Sequence, residues 1–302
     1  MLVSNPARFL DDLRLTIHAS IFLACGTLTY SALPAMAQQW SPSSAQETIS
    51  DASAAEQESD YNGQDFTRPQ RSIELRPTYR TSSGSSSRSN RDVLLLRATS
   101  KADLDAGWKL GLLAQVPIEG RATYSFDPPG FTNDTGIGDS TAQASLSHAI
   151  DQRWAYGFGA RLVAATAADS LGSGTWQIMP GFAVRYSFLE MPDTYFVPVI
   201  RYAISFAGDP MRRHISEPQI APTLNIGLPN RWFVTLYPSN DIRINFGAPI
   251  SGQTGRLFLP LDVAAGRKFT DNLVMSLELS VPLIKDYPVY NFKTELKLVL
   301  LF

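Results

Sequence analysis

The last thirteen residues, Tyr290 to Phe302, read YNFKTELKLVLLF and are compatible with one regular conformation. Every second side chain, from Tyr290 through Phe292, Thr294, Leu296, Leu298 and Leu300 to Phe302, falls on one face. Asn291, Lys293, Glu295 and Lys297 fall on the other, which turns apolar at Val299 and Leu301. Side chains of a strand change face at every residue, so this is a strand; a helix would spread the three charges around its circumference. An apolar strand ending on an aromatic suits the closing strand of a membrane barrel, which pairs with the first strand and sets its last aromatic at the interface. A soluble sandwich alternates in the same way, so the rest of the chain must discriminate.

From Arg71 onward the chain reads as twelve strand-like runs separated by turn chemistry: 71–80, 91–101, 106–118, 137–150, 153–166, 175–188, 194–207, 215–228, 231–247, 256–269, 273–284 and 290–302. Many exceed the five or six residues usual in soluble sheets and match the 9 to 11 that cross a bilayer when tilted. The connections alternate too. Asp151-Gln152, Pro229-Asn230 and 270–272 are tight and 189–193 slightly longer, whereas 81–90, 119–136, 167–174, 208–214 and 248–255 are longer and looser, with the short 285–289 as the one exception. Short periplasmic turns and long outer loops are the barrel pattern. The expected fold is therefore all-β, a transmembrane antiparallel up-and-down β-barrel of about twelve strands over 71–302.

Aromatics sit near strand ends on the apolar face, as at Trp154, Trp176, Phe188, Phe206, Trp232 and Phe246, which predicts two interfacial belts. Pro180, Pro198, Pro218, Pro222, Pro260 and Pro282 interrupt runs, and bulges are expected at several of them.

The N-terminus reads as an export signal. Arg8 and Arg14 precede an apolar stretch, Leu15 to Leu33, followed by Ala35-Met36-Ala37, with cleavage expected after Ala37. A retained anchor, or a lipoprotein processed at Cys25, are the alternatives. Cys25 is the single cysteine, so cleavage removes all thiol chemistry from the mature chain. Residues 38–70, with Glu47, Asp51, Glu56, Glu58, Asp60 and Asp65, carry too few apolar side chains to fold alone and are expected to form a disordered acidic periplasmic extension. The expected location is the bacterial outer membrane. A net charge of -2 without a basic stripe argues against a nucleic-acid partner.

Gly136-Ile137-Gly138-Asp139 after a long loop, Pro229 to Pro238 (PNRWFVTLYP), Leu259-Pro260-Leu261 and Gly266-Arg267-Lys268-Phe269 resemble the outer-membrane barrels named for the MetA pathway of phenol degradation. The resemblance covers roughly 135 to 302; the chain lacks the family's frequent final proline and has Ala264-Ala265 where glycines are expected. It implies an outer-membrane barrel with a transporter-like role for small, including aromatic, compounds, and it brings no catalytic residue. At family level it also implies that the assembly machinery of such barrels reads Phe302.

Faces opposite the aromatics should line the lumen. The candidates are Arg161, Arg185, Arg201, Asp241, Arg243, Asp262, Glu278, Lys293, Glu295 and Lys297. Arg161, Arg185 and Arg201, on consecutive strands, could form a basic arc in a hydrated passage for anionic solutes, with Arg185 nearer the periplasm. Equally, the charges could form a plug of mutual ion pairs, since a twelve-strand interior is narrow. Catalysis has little to work with. His148 follows Ser147 but points to the opposite face, and His214 sits with Arg212 and Arg213 in an outer loop, suited to lipopolysaccharide phosphate. Asp127, Asp134 and Asp139 are a sparse acid group, and Gly172-Ser173-Gly174 precedes no helix, so no phosphate loop is formed. Neither a cofactor nor a metal site is expected. A channel or transporter for small aromatic or anionic solutes in contact with lipid is the leading expectation. A structural or adhesive barrel acting through its outer loops, especially 119–136, is the alternative, and an outer-membrane hydrolase stands third.

Overall fold

The computed structural model describes residues 65, 67–83, 87–168 and 170–302. The export signal and residues 38–64 of the acidic stretch lie outside the described residues.

Described strands are β1 (Ser72–Ser83), β2 (Ser87–Asp103), β3 (Trp108–Phe126), β4 (Pro129–Ile137), β5 (Thr141–Ala149), β6 (Trp154–Val163), β7 (Thr175–Ser187), β8 (Tyr195–Gly208), β9 (Ser216–Leu228), β10 (Trp232–Leu236), β11 (Ile242–Ile244), β12 (Leu257–Lys268), β13 (Leu273–Lys285) and β14 (Phe292–Leu301). All pairings are antiparallel. β4 and β5 follow one another along β3, and β10 and β11 lie in line between β9 and β12. Each such pair is one stave, so the described residues form a closed barrel of twelve staves. Closure is made by β14 on β1, with Ser72 opposite Leu301 and Thr81 opposite Phe292. The terminal strand thus finds the partner its pattern required.

Alternation puts apolar side chains outside: Leu94 and Leu96 on β2, Leu112 and Val116 on β3, Phe182 on β7, Ile200 on β8 and Leu277 on β13 are exposed. Polar and charged side chains point in and are buried. A soluble protein would bury the first set and hydrate the second; only a surrounding lipid phase makes this arrangement favourable. Trp154, Trp232 and Phe302 are exposed at the end that holds the barrel's chain ends, and Trp176, Phe206 and Phe246 at the other.

Connections 104–107, 150–153, 188–194, 229–231 and 269–272 gather at the end bearing Ser72 and Leu301. Local chemistry makes them tight. Asp151 Oδ1 accepts from the backbone N–H of Arg153 and of Trp154, each at 2.7 Å. Asn230 takes the left-handed conformation, φ 61°, which asparagine tolerates better than most residues.

The structure corrects several sequence expectations. Most of 119–136 is not a loop: β3 and β4 continue as a hairpin in which Ile118 faces Ile137 and Phe126 faces Pro129. Its polar, non-periodic sequence hid the strands, which backbone pairing holds without a regular apolar face. The run 231–247 is two short strands, because the chain leaves the wall at Tyr237, φ 52°, followed by Pro238, which has no N–H to give. Pro180, Pro198, Pro218 and Pro222 sit in regular register; of the six prolines, Pro260 and Pro282 alone lie at an irregularity. Each antiparallel residue sends its N–H toward one neighbour, so a proline removes a bond without displacing the ladder. Finally, the end of the 38–70 stretch is no free extension: Asp65 and Thr67 are buried.

Candidate functional site in the barrel lumen

The inner faces enclose a cavity of about 310 Å³. Eight arginine and lysine side chains line it against four carboxylates, Asp65, Glu74, Asp241 and Glu295, so its lining carries an excess of four positive charges. The charges are distributed unevenly.

On the side built by β1 and β9–β14, cations meet carboxylates. Glu295 accepts from Arg76 Nε at 2.7 Å and from Thr78 Oγ1 at 3.0 Å. Arg243 lies 3.1 Å from Asp241 and 3.5 Å from Glu217. Lys293 is fully enclosed, bonded to Asp241 and Glu278 and 4.0 Å from Asp262. Ser239 Oγ donates to Glu278 at 3.0 Å, and Tyr290 OH to Asp241 at 3.3 Å. Asp241, Asp262 and Glu278 bring carboxylate oxygens within 4.8 Å of one another, a spacing that could hold a metal ion. The Lys293 ammonium stands among them and supplies the compensating charge itself.

Across the lumen the arginines stand opposite neutral glutamines. Register sets Arg97 on β2 opposite Gln115 on β3, Arg161 on β6 opposite Gln143 on β5, and Arg201 on β8 opposite Gln219 on β9. Gln143 Oε1 accepts from Arg161 Nε at 3.1 Å and Nη2 at 2.9 Å; Gln115 Oε1 accepts from Arg97 at 3.3 and 3.0 Å. Arg97 also reaches Glu74, 3.3 Å away. Gly181 leaves room for the stem of Arg201, whose Cγ would stand 2.9 Å from a Cβ there.

Of the ten candidate residues, Arg161, Arg201, Asp241, Arg243, Glu295 and Lys297 line the cavity. Asp262, Glu278 and Lys293 are packed behind it, buried with one another. Arg185 is elsewhere: it is buried 3.1 Å from Asp65, so the third arginine of the arc is Arg97. Asp65 is held in turn by Thr67, through N at 2.8 Å and Oγ1 at 2.7 Å. Residues beyond it press on the inner wall, where Gln70 O accepts from Thr99 Oγ1 at 2.8 Å and Pro69 leaves no space for a side chain at position 111. Sequence reasoning passed over Gln115 and Gln143 because neutral side chains at alternating positions carry no charge signal. Their offset from the arginines becomes meaningful only once the strands are paired.

The Gly136–Asp139 motif has a structural task. Asp139 accepts from the backbone N–H of Ser173 at 2.7 Å, from its hydroxyl at 2.7 Å, and from Ala167 N at 3.3 Å, fastening the connection after β6. A Cβ on residue 138 would stand 2.3 Å from Glu119 Oε1, the carboxylate that pairs with Arg91, which also bonds Leu171 O at 2.6 Å. Gly138→Ala is expected to lower stability by about 1–3 kcal/mol through this overpacking. Asp139→Ala should instead leave the barrel folded and make 164–174 cleavable by limited proteolysis. Equal protection of that connection in the variant and the parent would show that Asp139 does not hold it.

At the same end Tyr287 OH donates to Glu217 at 2.9 Å and accepts from Arg213 Nη2 at 2.9 Å. Burial, then the Glu217 carboxylate, push the Tyr287 hydroxyl up to about 12, so it stays a donor at neutral pH. Ser147 is buried on the inner face, whereas His148 packs outside between Trp108 and Tyr156, ring centroids 5.0 and 5.9 Å away. The pair is split across the wall, as period-two geometry requires.

This arrangement, with apolar exterior, closed ladder and charged interior, has counterparts. Residues 76–236, more than half of the 302-residue chain, match the family described as "Putative MetA-pathway of phenol degradation". The chain belongs to this family. Match and resemblance overlap from about 135 to 236, and the match extends toward the N-terminus across β2 and β3, which carry none of the motifs. An outer membrane channel from Pseudomonas putida F1 is similar in structure, with TM-score 0.60, 17% identity, and coverage of 80% of this chain and 99% of that one. The transport unit of the autotransporter AIDA-I from Escherichia coli is similar at TM-score 0.50, 8% identity, and coverage of 83% and 97%. No curated protein sequence matches the chain. These likenesses establish the barrel fold, and the relatives of this fold named here are a channel and a transport unit rather than enzymes.

Proposed function

We propose that this member of the MetA-pathway family is an outer-membrane channel that passes small hydrophilic solutes, aromatic or anionic ones among them. One observation carries the reading: a closed barrel with an apolar exterior encloses a charged cavity of about 310 Å³. Charges are costly in a membrane protein unless they are paired or hydrated, and those facing this cavity exceed what pairing requires. A plug built only for stability would match every cation with a carboxylate, as one side of this lumen does.

In this reading residues 1–37 direct export and are removed, the end bearing Ser72 and Leu301 faces the periplasm, and Phe302 is read by barrel-assembly machinery. Arg212, Arg213 and His214 then face the lipopolysaccharide layer. The test is planar-bilayer recording of the refolded chain spanning 38–302, with liposome swelling over a panel of sugars, amino acids and aromatic acids. Discrete single-channel steps and solute flux are expected. Silence in both assays would overturn the channel reading and favour a structural barrel whose β3–β4 hairpin does the work.

A further inference from the structure

The basic side of the lumen repeats one device: an arginine faces a glutamine across a strand pair, on β2/β3, β5/β6 and β8/β9. Unlike a carboxylate, a glutamine carbonyl can accept from a guanidinium without cancelling its charge. Arg161 shows this most clearly. Gln143 takes one N–H from Nε and one from Nη2, and Nη1 meets no protein acceptor among the described residues. The charges facing it are Arg201, Arg97 and Arg76, all of its own sign. A guanidinium has five donors in a fixed planar fork that fits a carboxylate in two-point fashion. Like charges held together inside a barrel repel one another unless an anion joins them.

Resting on the proposed channel reading but narrowing it, we infer that Arg161, with Arg201 and Arg97 beside it, is a binding site for the carboxylate of a small organic anion, and that Gln143 is its positioning residue. The aligned fork takes the carboxylate, while the solute's remaining body occupies the cavity. Gln143 acts by holding Nε and Nη2 against the wall, so that Nη1 points away from the strand. On the opposite wall Arg76 and Arg243 are already engaged by Glu74, Glu295, Asp241 and Glu217, so a second negative charge on the solute finds those cations taken. The class is therefore a monocarboxylate.

The probe is benzoate, with benzamide as its neutral counterpart of nearly equal shape. Calorimetric titration of the folded chain spanning 38–302 in detergent should show saturable benzoate binding and at least tenfold weaker benzamide binding. Gln143→Glu places a compensating carboxylate beside Arg161 and should weaken benzoate at least tenfold. Gln143→Leu, which keeps the charge and loses the aim, should weaken it less. Retention of the folded, heat-modifiable gel band verifies each variant. Equal binding of benzoate and benzamide, or benzoate binding unaffected by Gln143→Glu, would overturn the site. Because titration needs no current, a protein that binds benzoate but conducts nothing would sink the channel reading and leave this site standing. A conducting protein that ignores benzoate would do the reverse.

Discussion

Lys293→Met should cost the folded barrel about 3–5 kcal/mol, the largest loss expected from any single exchange in the lumen. Lys293 is 1% exposed and stands among Asp241, Glu278 and Asp262, a group with no other ammonium. Methionine matches its length but leaves three carboxylates crowded within 4.8 Å of one another, with Arg243 still 3.1 Å from Asp241. Removing one partner of an enclosed ion pair is costly because the remaining charge keeps its desolvation penalty and loses its compensation. Urea unfolding of the refolded protein, followed by the shift of its gel band, measures the loss. Lys293→Met combined with Glu278→Gln should recover a substantial part, since a neutral amide no longer demands a cation. A single variant that unfolds at the parental midpoint would show that the cluster contributes no net stability.

Asp65→Ala is expected to raise single-channel conductance several-fold. Asp65 lies before the first strand, yet its carboxylate is buried against Arg185 on β7, at 1% and 4% side-chain exposure. Between that pair and β1, residues 67–70 lie along the inner wall and reduce the open cross-section. Without the carboxylate, Arg185 is an enclosed cation whose Nε already lacks a hydrogen-bond partner. The favourable response is for water to enter and for the segment to leave. The double variant Asp65→Ala with Arg185→Met removes the stranded charge and should restore stability while keeping the larger conductance. Parental conductance in Asp65→Ala would mean that the Gln70–Thr99 and Pro69–Gly111 contacts hold the segment without the ion pair.

Much of this could be read in advance for a specific reason. Strand direction is a local property, and alternation over 10 to 15 residues records it in the identities of the residues. Hence Lys293, Glu295 and Lys297 were recognisable as inward-facing, and Tyr290 to Phe302 as the closing strand. Turn positions were legible where a side chain makes the turn, as Asp151 does. The β3–β4 hairpin was not, because its residues bury no regular face. Arg185 looked equivalent to Arg161 and Arg201, since spacing along a strand says where a side chain points but not what meets it there.

The sequence alone determined a barrel: the period of two, the strand lengths, and the alternation of short and long connections leave no other sheet that can keep an apolar exterior and a charged interior. Only the tertiary structure decided which charges cancel. Register, which is set by the closure of the whole ladder, placed Lys293 among three carboxylates, Asp65 against Arg185, and Arg161 opposite Gln143. These pairings join residues 15 to 120 positions apart, and the identities of the residues along a single strand do not encode them.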